Sequence, residues 1–210
     1  MSVNKPKRVK NKEITVGKTP TKDRLVQAAI TRFYKEGFRN VGLDQIIADV
    51  GISKTAFYKH FASKDELLLA ALDEKAQWLS GICREIVWQK GGPTAEGQLR
   101  AVFDLVEFIL SQDEFQGCIF VRAVMEFPNP NEPIFQAAAA NRHIVETFVL
   151  QLAENCRIAD PQTLARKLCL IAEGAYVMQH VTGNKQTIDY ARSLANLAID
   201  DALGQSRTAA

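Results

Sequence analysis

Apolar residues recur every three or four positions along almost the whole chain, and no stretch keeps the strict alternation of a strand. Leu25, Ala28, Ala29 and Phe33 predict a first helix, with Thr19 as N-cap, Pro20 at the first position and Gly37 as the stop. Leu43, Ile46, Ile47 and Val50 fall at i, i+3, i+4 and i+7 and predict a second, ended by Gly51, a residue that accepts positive φ. Ser53 is a good N-cap for a short third helix reaching Phe61. Phe57 and Phe61 are its core members, while Lys54, Thr55, Tyr58 and Lys59 point elsewhere. Ser63-x-x-Glu66 is a capping box and opens a long helix to Trp88, closed by Gly91-Gly92-Pro93. Beyond it the pattern predicts helices over 99–110, 117–127, 135–156, 161–181 and 187–201. The fold class is therefore all-α, with about nine helices.

A helix, a glycine turn and a second helix with one buried and one basic-polar face make a helix-turn-helix, whose second helix enters the DNA major groove. The surrounding residues extend the match. They run in order through Phe33-Tyr34-Lys35-Glu36-Gly37-Phe38, Ile46, Gly51-Ile52-Ser53, Phe57-Tyr58-Lys59-His60-Phe61 and Lys64-Asp65-Glu66-Leu67-Leu68. From about Thr21 to Ala70 this resembles the DNA-binding domain of TetR/AcrR-type transcriptional regulators. Gly42 departs from the family pattern, which often has Thr or Ser there, so a phosphate contact at this position could come only from the backbone N–H. Ile47 stands where the family often has Ala and asks for wider packing.

Charge strengthens the reading. Residues 1–64 hold 14 Lys/Arg and 5 Asp/Glu, a net of +9, whereas the remainder carries a net of −7. A basic N-terminal third is the footprint of a nucleic-acid binder. The chain divides into a Lys-rich arm over 1–18, a helix-turn-helix domain over 19–66 and a helical ligand-binding and dimerisation domain over 67–204. The arm is expected to be disordered when free, and a role along the phosphates is balanced against a solubilising one. Lys54, Thr55, Tyr58, Lys59 and His60 are the candidate groove residues, and Thr21 and Lys22 candidate phosphate contacts. The resemblance implies that Lys64 grips the phosphate backbone.

The resemblance also implies a homodimer through the last two helices, and a small-molecule effector enclosed by the middle helices whose binding releases a palindromic operator. Ala165, Ala172, Gly174, Ala175, Ala191, Ala195 and Ala198 are the small residues expected to pair with a second copy. Candidate pocket liners are Trp78, Phe103, Phe120, Met125, Phe148 and Tyr176, with Arg122 and His143 as polar partners. Aromatics at helical spacing are more often core formers than pocket liners. Arg122 lies in an apolar run and needs either Glu126, four residues on, or an anionic ligand.

Two other schemes stay open: a ligand-independent DNA binder controlled by a protein partner, and a thiol sensor acting through Cys118 at a helix start. Cys83, Cys118, Cys156 and Cys169 are too dispersed for a metal motif, and no cofactor is expected. No GxSxG, HExxH or P-loop pattern supports an enzyme. No apolar run reaches the ~18 residues of a membrane span, and no apolar segment follows the basic N-terminus, so a cytoplasmic protein is expected.

Overall fold

The computed structural model describes residues 20–112 and 115–208. Among them are ten α-helices and no strand: α1 (Thr21–Glu36), α2 (Leu43–Val50), α3 (Lys54–Tyr58), α4 (Lys64–Gly91), α5 (Ala95–Arg100), α6 (Val102–Leu110), α7 (Ile119–Glu126), α8 (Pro133–Asn155), α9 (Pro161–Thr182) and α10 (Thr187–Thr208). The helix expected over 99–110 is two, divided at Ala101 (φ −67°, ψ −8°). α5 crosses the end of α4 so closely that a Cβ on Gly97 would fall 2.2 Å from the Gly91 carbonyl oxygen. Thr19 lies outside the described residues, and Pro20 occupies the cap position of α1 rather than its first turn.

Two apolar clusters organise the chain. The first gathers Leu25, Phe33, Phe38, Ile46, Phe57, Phe61, Leu67 and Leu68, and takes in Ile119, Phe120 and Ala123 of α7 with Ile134 and Ala138 of α8. Packing therefore does not stop at residue 66, because α7 and the start of α8 complete the core begun by α1 to α4. The second cluster joins Val87, Leu99, Phe103, Val106, Leu152, Leu168 and Ile199. α4, of 28 residues and about 42 Å at the helical rise, contributes to both.

Polar contacts fix α7 against the end of α1. The last carbonyls of a helix lack intrahelical donors. The Arg122 guanidinium supplies one to the Tyr34 carbonyl at 2.7 Å, and the Tyr34 hydroxyl donates to the Gly117 carbonyl at 2.7 Å. The Glu126 carboxylate accepts the Arg39 backbone N–H at 2.8 Å, and Arg39 Nε donates to the Glu126 carbonyl at 2.6 Å. Arg122 also lies 3.4 Å from Glu126, so the ion pair forms, yet its cation is aimed at a helix C-terminus.

The small residues of the last two helices divide: Gly174 is exposed and Ala172 and Ala198 are partly exposed, whereas the other four face inward. Ala165, Ala175, Ala191 and Ala195 are buried inside the protomer, where they let α9 and α10 approach each other and their neighbours. The outward apolar surface is instead Leu170, Val177 and Val181 of α9 with Tyr190, Leu194 and Leu197 of α10.

Arg122→Met keeps the packing but leaves the Tyr34 carbonyl without its charged donor. A loss of about 1.5–3 kcal/mol is expected. Thermal unfolding followed by circular dichroism should show a lower Tm with an unchanged helical spectrum at 20 °C. An unaltered Tm would mean that the contact is not stabilising.

Candidate nucleic-acid interface and enclosed cavity

The helix-turn-helix is built as its sequence dictates. Ile46, Ile47 and Val50 are buried, and Gly51 closes α2 in the left-handed conformation (φ 70°). Ser53 Oγ accepts the Ala56 N–H at 3.1 Å and caps α3. That helix stops at Tyr58, earlier than the expected end at Phe61. Lys59 and His60 form a tight turn in which the Phe57 carbonyl accepts from both the His60 and Phe61 N–H groups. The turn brings Phe61 back over Phe57, with ring centroids 5.9 Å apart. Lys54, Thr55, Tyr58, Lys59 and His60 are all exposed. Tyr58 is 51% exposed, its ring steadied edge-on by Phe57 at 5.3 Å.

Several basic groups nearby are already engaged. Arg32 holds Asp49 at 2.7 Å and Glu36 at 2.7 Å, which raises its own pKa and holds the Asp49 carboxyl below its ordinary range. Arg24 donates to the Val50 carbonyl, and Lys54 pairs with Asp44 at 3.2 Å. The Gly42 N–H is occupied as well, donating to Gln45 Oε1 at 2.6 Å, so the backbone phosphate contact considered there has no free donor. Lys64 is half-buried, and its Nζ donates to the Phe38 carbonyl at 2.6 Å. Burial lowers its pKa. Lys22 lies over the Phe61 ring at 5.5 Å, and Thr21 opens α1. The basic arm over 1–18 lies outside the described residues.

A second feature lies between α4, α6, α7, α8 and α9. Leu79, Val106, Val149 and Leu168 line a cavity of about 70 Å³, together with Phe120, Phe148 and Tyr176. Its polar border is Asn141, Arg142 and Glu173, with the Arg142–Glu173 pair at 3.3 Å. Burial raises the Glu173 carboxyl and, more strongly, the Tyr176 hydroxyl.

Residues 25–71 match the family described as bacterial regulatory proteins, tetR family. A TetR-family transcriptional regulator from Streptomyces coelicolor superposes with a TM-score of 0.83 at 27% identity, covering 87% of this chain and 90% of that one. The chain belongs to the TetR family of transcriptional regulators. A putative TetR regulator from Streptomyces avermitilis is 26% identical with a TM-score of 0.72, covering 86% of this chain and 98% of that one. The HTH-type transcriptional regulator YjdC of Escherichia coli is 24% identical over 160 residues, 76% of this chain and 83% of its own length. This TetR-family chain is thus a DNA-binding regulator, and its relatives are not enzymes. Among the described residues no helix is long and apolar enough to cross a membrane.

Only part of the expected ligand set meets at the cavity of this TetR-family protein. Phe120, Phe148 and Tyr176 line it. Phe103 is buried in the second core cluster, and Arg122 is spent on α1. Met125 and His143 face outward, and Trp78 stacks beside the Lys75 ammonium, 4.0 Å from its ring. Helical spacing alone does not say which side of a helix faces the void. Asn141, Arg142 and Glu173 went unnoticed, although Glu173 stands in an apolar run as Arg122 does, and the same signal would have found it.

Cys83, Cys118 and Cys169 also border the cavity. The helix-start argument for a reactive Cys118 does not hold, since burial outweighs the dipole and pushes the thiol up to about 11. Burial pushes Cys83 up to about 12. The folded state therefore binds these protons more tightly than the unfolded one. Their contribution to stability is intact below the ordinary thiol pKa and is lost as pH rises through and above it. At pH 8, iodoacetamide should alkylate Cys118 in the folded protein roughly 100-fold more slowly than in denaturant, from the thiolate fraction alone. Equal rates by mass spectrometry would restore a sensor role.

Proposed function

We propose that the protein is a homodimeric repressor whose helix-turn-helix domain, residues 19–66, holds an operator that is released when a small molecule enters the domain formed by residues 67–204. The observation that carries this reading is the double engagement of α7. Its N-terminal end lines the cavity through Cys118 and Phe120, and its middle and C-terminal end hold α1 through Arg122 and Glu126. A cavity of about 70 Å³ is far below the ~300–1,000 Å³ of drug-sized sites, so such an occupant must move a wall. When α7 moves, α1 and the recognition helix α3 move with it. The effector then acts by favouring one of two arrangements of the DNA-binding domains.

Dimerisation rests on two observations. α3 has five residues, too few for strong discrimination by one copy, and a two-fold pair doubles the base contacts. Leu170, Val177, Val181, Tyr190, Leu194 and Leu197 form an exposed apolar surface of the kind that marks an interface. Thr55, Tyr58 and Lys59 are the proposed groove readers, with Lys54 and His60 at the margin and Lys64 as the phosphate anchor.

Tyr58→Ala tests the reading most directly. At about 1–3 kcal/mol per base contact, loss from both half-sites should weaken operator binding tenfold or more. Helical signal and oligomeric state should be unchanged. Wild-type affinity in fluorescence anisotropy would reject α3 as the recognition helix. Lys64→Ala separates an anchor from a structural lysine. An anchor lowers the slope of log K against log salt by about 0.9 per lost phosphate contact, equally for all sequences. A fall in Tm with an unchanged slope would leave Lys64 only its bond to the Phe38 carbonyl.

A further inference from the structure

The cavity carries a chemical signature of its own occupant. Among the described residues, no fully sealed side-chain polar atom lacks a partner. Asn141 stands apart from that economy. The residue is only 4% exposed and lines the cavity, yet its side chain makes no hydrogen bond to any described residue. Its amide offers one donor and one acceptor group to the void. Tyr176 lines the same space, and its hydroxyl is likewise without a hydrogen bond to a described residue. These groups keep some accessible surface rather than being sealed, and a partner held in the void within hydrogen-bond reach would satisfy them.

Charge and shape narrow the class. Arg142 is answered by Glu173 at 3.3 Å, so the border carries no unbalanced charge for an ion to neutralise. An anion would face the Glu173 carboxylate, and a cation the Arg142 guanidinium. The other liners are aliphatic, aromatic or thiol groups. The thiols are held protonated by burial, so covalent capture is not their chemistry. The volume of about 70 Å³ lies below the ~150 Å³ of a void that accepts benzene, so a ring-sized occupant presses on the walls.

We propose that the effector is a compact uncharged molecule with an apolar body and one hydroxyl head, and that Asn141 reads the head as donor and acceptor at once while Tyr176 completes the contact. This rests on the ligand-release reading above and names the class of ligand. A hydroxyl is the smallest group that can both give and accept a hydrogen bond at the amide. Asn141 lies on α8, which packs against α7, and Cys118 and Phe120 border the same cavity, so a body anchored at the Asn141 amide shares its space with the N-terminal end of α7.

The test uses the full chain and three ring-sized probes in thermal-shift assays: phenol, toluene with a methyl in place of the hydroxyl, and benzoate with a charge. Phenol should raise the Tm of the wild type most. Asn141→Leu keeps the branched shape of the side chain, fills part of the void with its methyl groups and removes the unpaired amide. Its own Tm should rise by about 2–4 °C or more, and the advantage of phenol over toluene should vanish. A lower Tm for N141L would show that Asn141 holds the fold together and would overturn the proposal. So would benzoate or toluene matching phenol, or no shift with any probe. Operator anisotropy keeps the two readings apart. Phenol that binds through Asn141 without releasing DNA would refute ligand release and leave the site standing. Release by benzoate alone would refute the ligand class and leave the regulator reading standing.

Discussion

The carbonyl groups that end α1 are the constraint on which the rest of the molecule depends. A helix C-terminus buried against other elements must find donors. Here Gly37 returns its N–H to the Phe33 carbonyl, Asn40 reaches the Glu36 carbonyl, and Arg122 comes from a helix more than eighty residues away to reach Tyr34. The remote donor makes the DNA-binding helices and the later helices one mechanical unit. Gly37 shows how closely the parts fit. Its φ of 87° suits glycine, and a Cβ there would fall 2.8 Å from Glu126 Oε1. The carboxylate that accepts the Arg39 N–H sits where a side chain would otherwise stand.

A second economy governs the DNA-facing side. Net charge over the first 64 residues overstates what is available to phosphates. Arg24, Arg32 and Arg39 are bound to a carbonyl, to carboxylates and to Glu126, and Lys54 shares Asp44. These arginines organise the motif rather than present charge. Of the fourteen cations, six belong to the arm over 1–18. On the proposed function, the sequence-independent attraction would have to draw on the remaining cations, such as Lys22 and Lys59, and specificity on the exposed edge of α3.

The motif was legible because each of its signals is local. Gly51 for positive φ, Ser53 for a cap and Phe57 with Phe61 for the core act within a few residues of one another, and the structure uses all four as expected. The division at Ala101 was not legible, since no glycine, proline or capping residue marks it in the sequence. The same limit applies to Arg122. Its i+4 partner Glu126 is visible in the sequence, but the carbonyl of Tyr34 is not. The alanine stripes of α9 and α10 read as close helix contacts, which they are. Periodicity gives a helix its faces without saying whether each meets the same chain or another, and burial puts Ala165, Ala175, Ala191 and Ala195 inside while Gly174 and the large Leu170, Val177 and Leu194 stay outside.

These elements together determine how a response could arise from so small a void. A filled core cannot sense anything, and an open pocket needs no movement to be occupied. A cavity of about 70 Å³ lies between the two. Its walls are apolar side chains that lose dispersion contacts across the gap, so the resting state already carries a cost that a ligand relieves. α7 is tied to α1 by hydrogen bonds and also belongs to the first core through Ile119, Phe120 and Ala123, so a shift of α7 disturbs both sets of contacts. Hydrogen bonds can be exchanged for water at modest net cost, whereas buried aromatic packing cannot. On the proposed ligand-release reading, an occupant would have to favour a displaced position of α7 over the resting one by a few kcal/mol to shift the population, and tight binding to both positions would shift nothing.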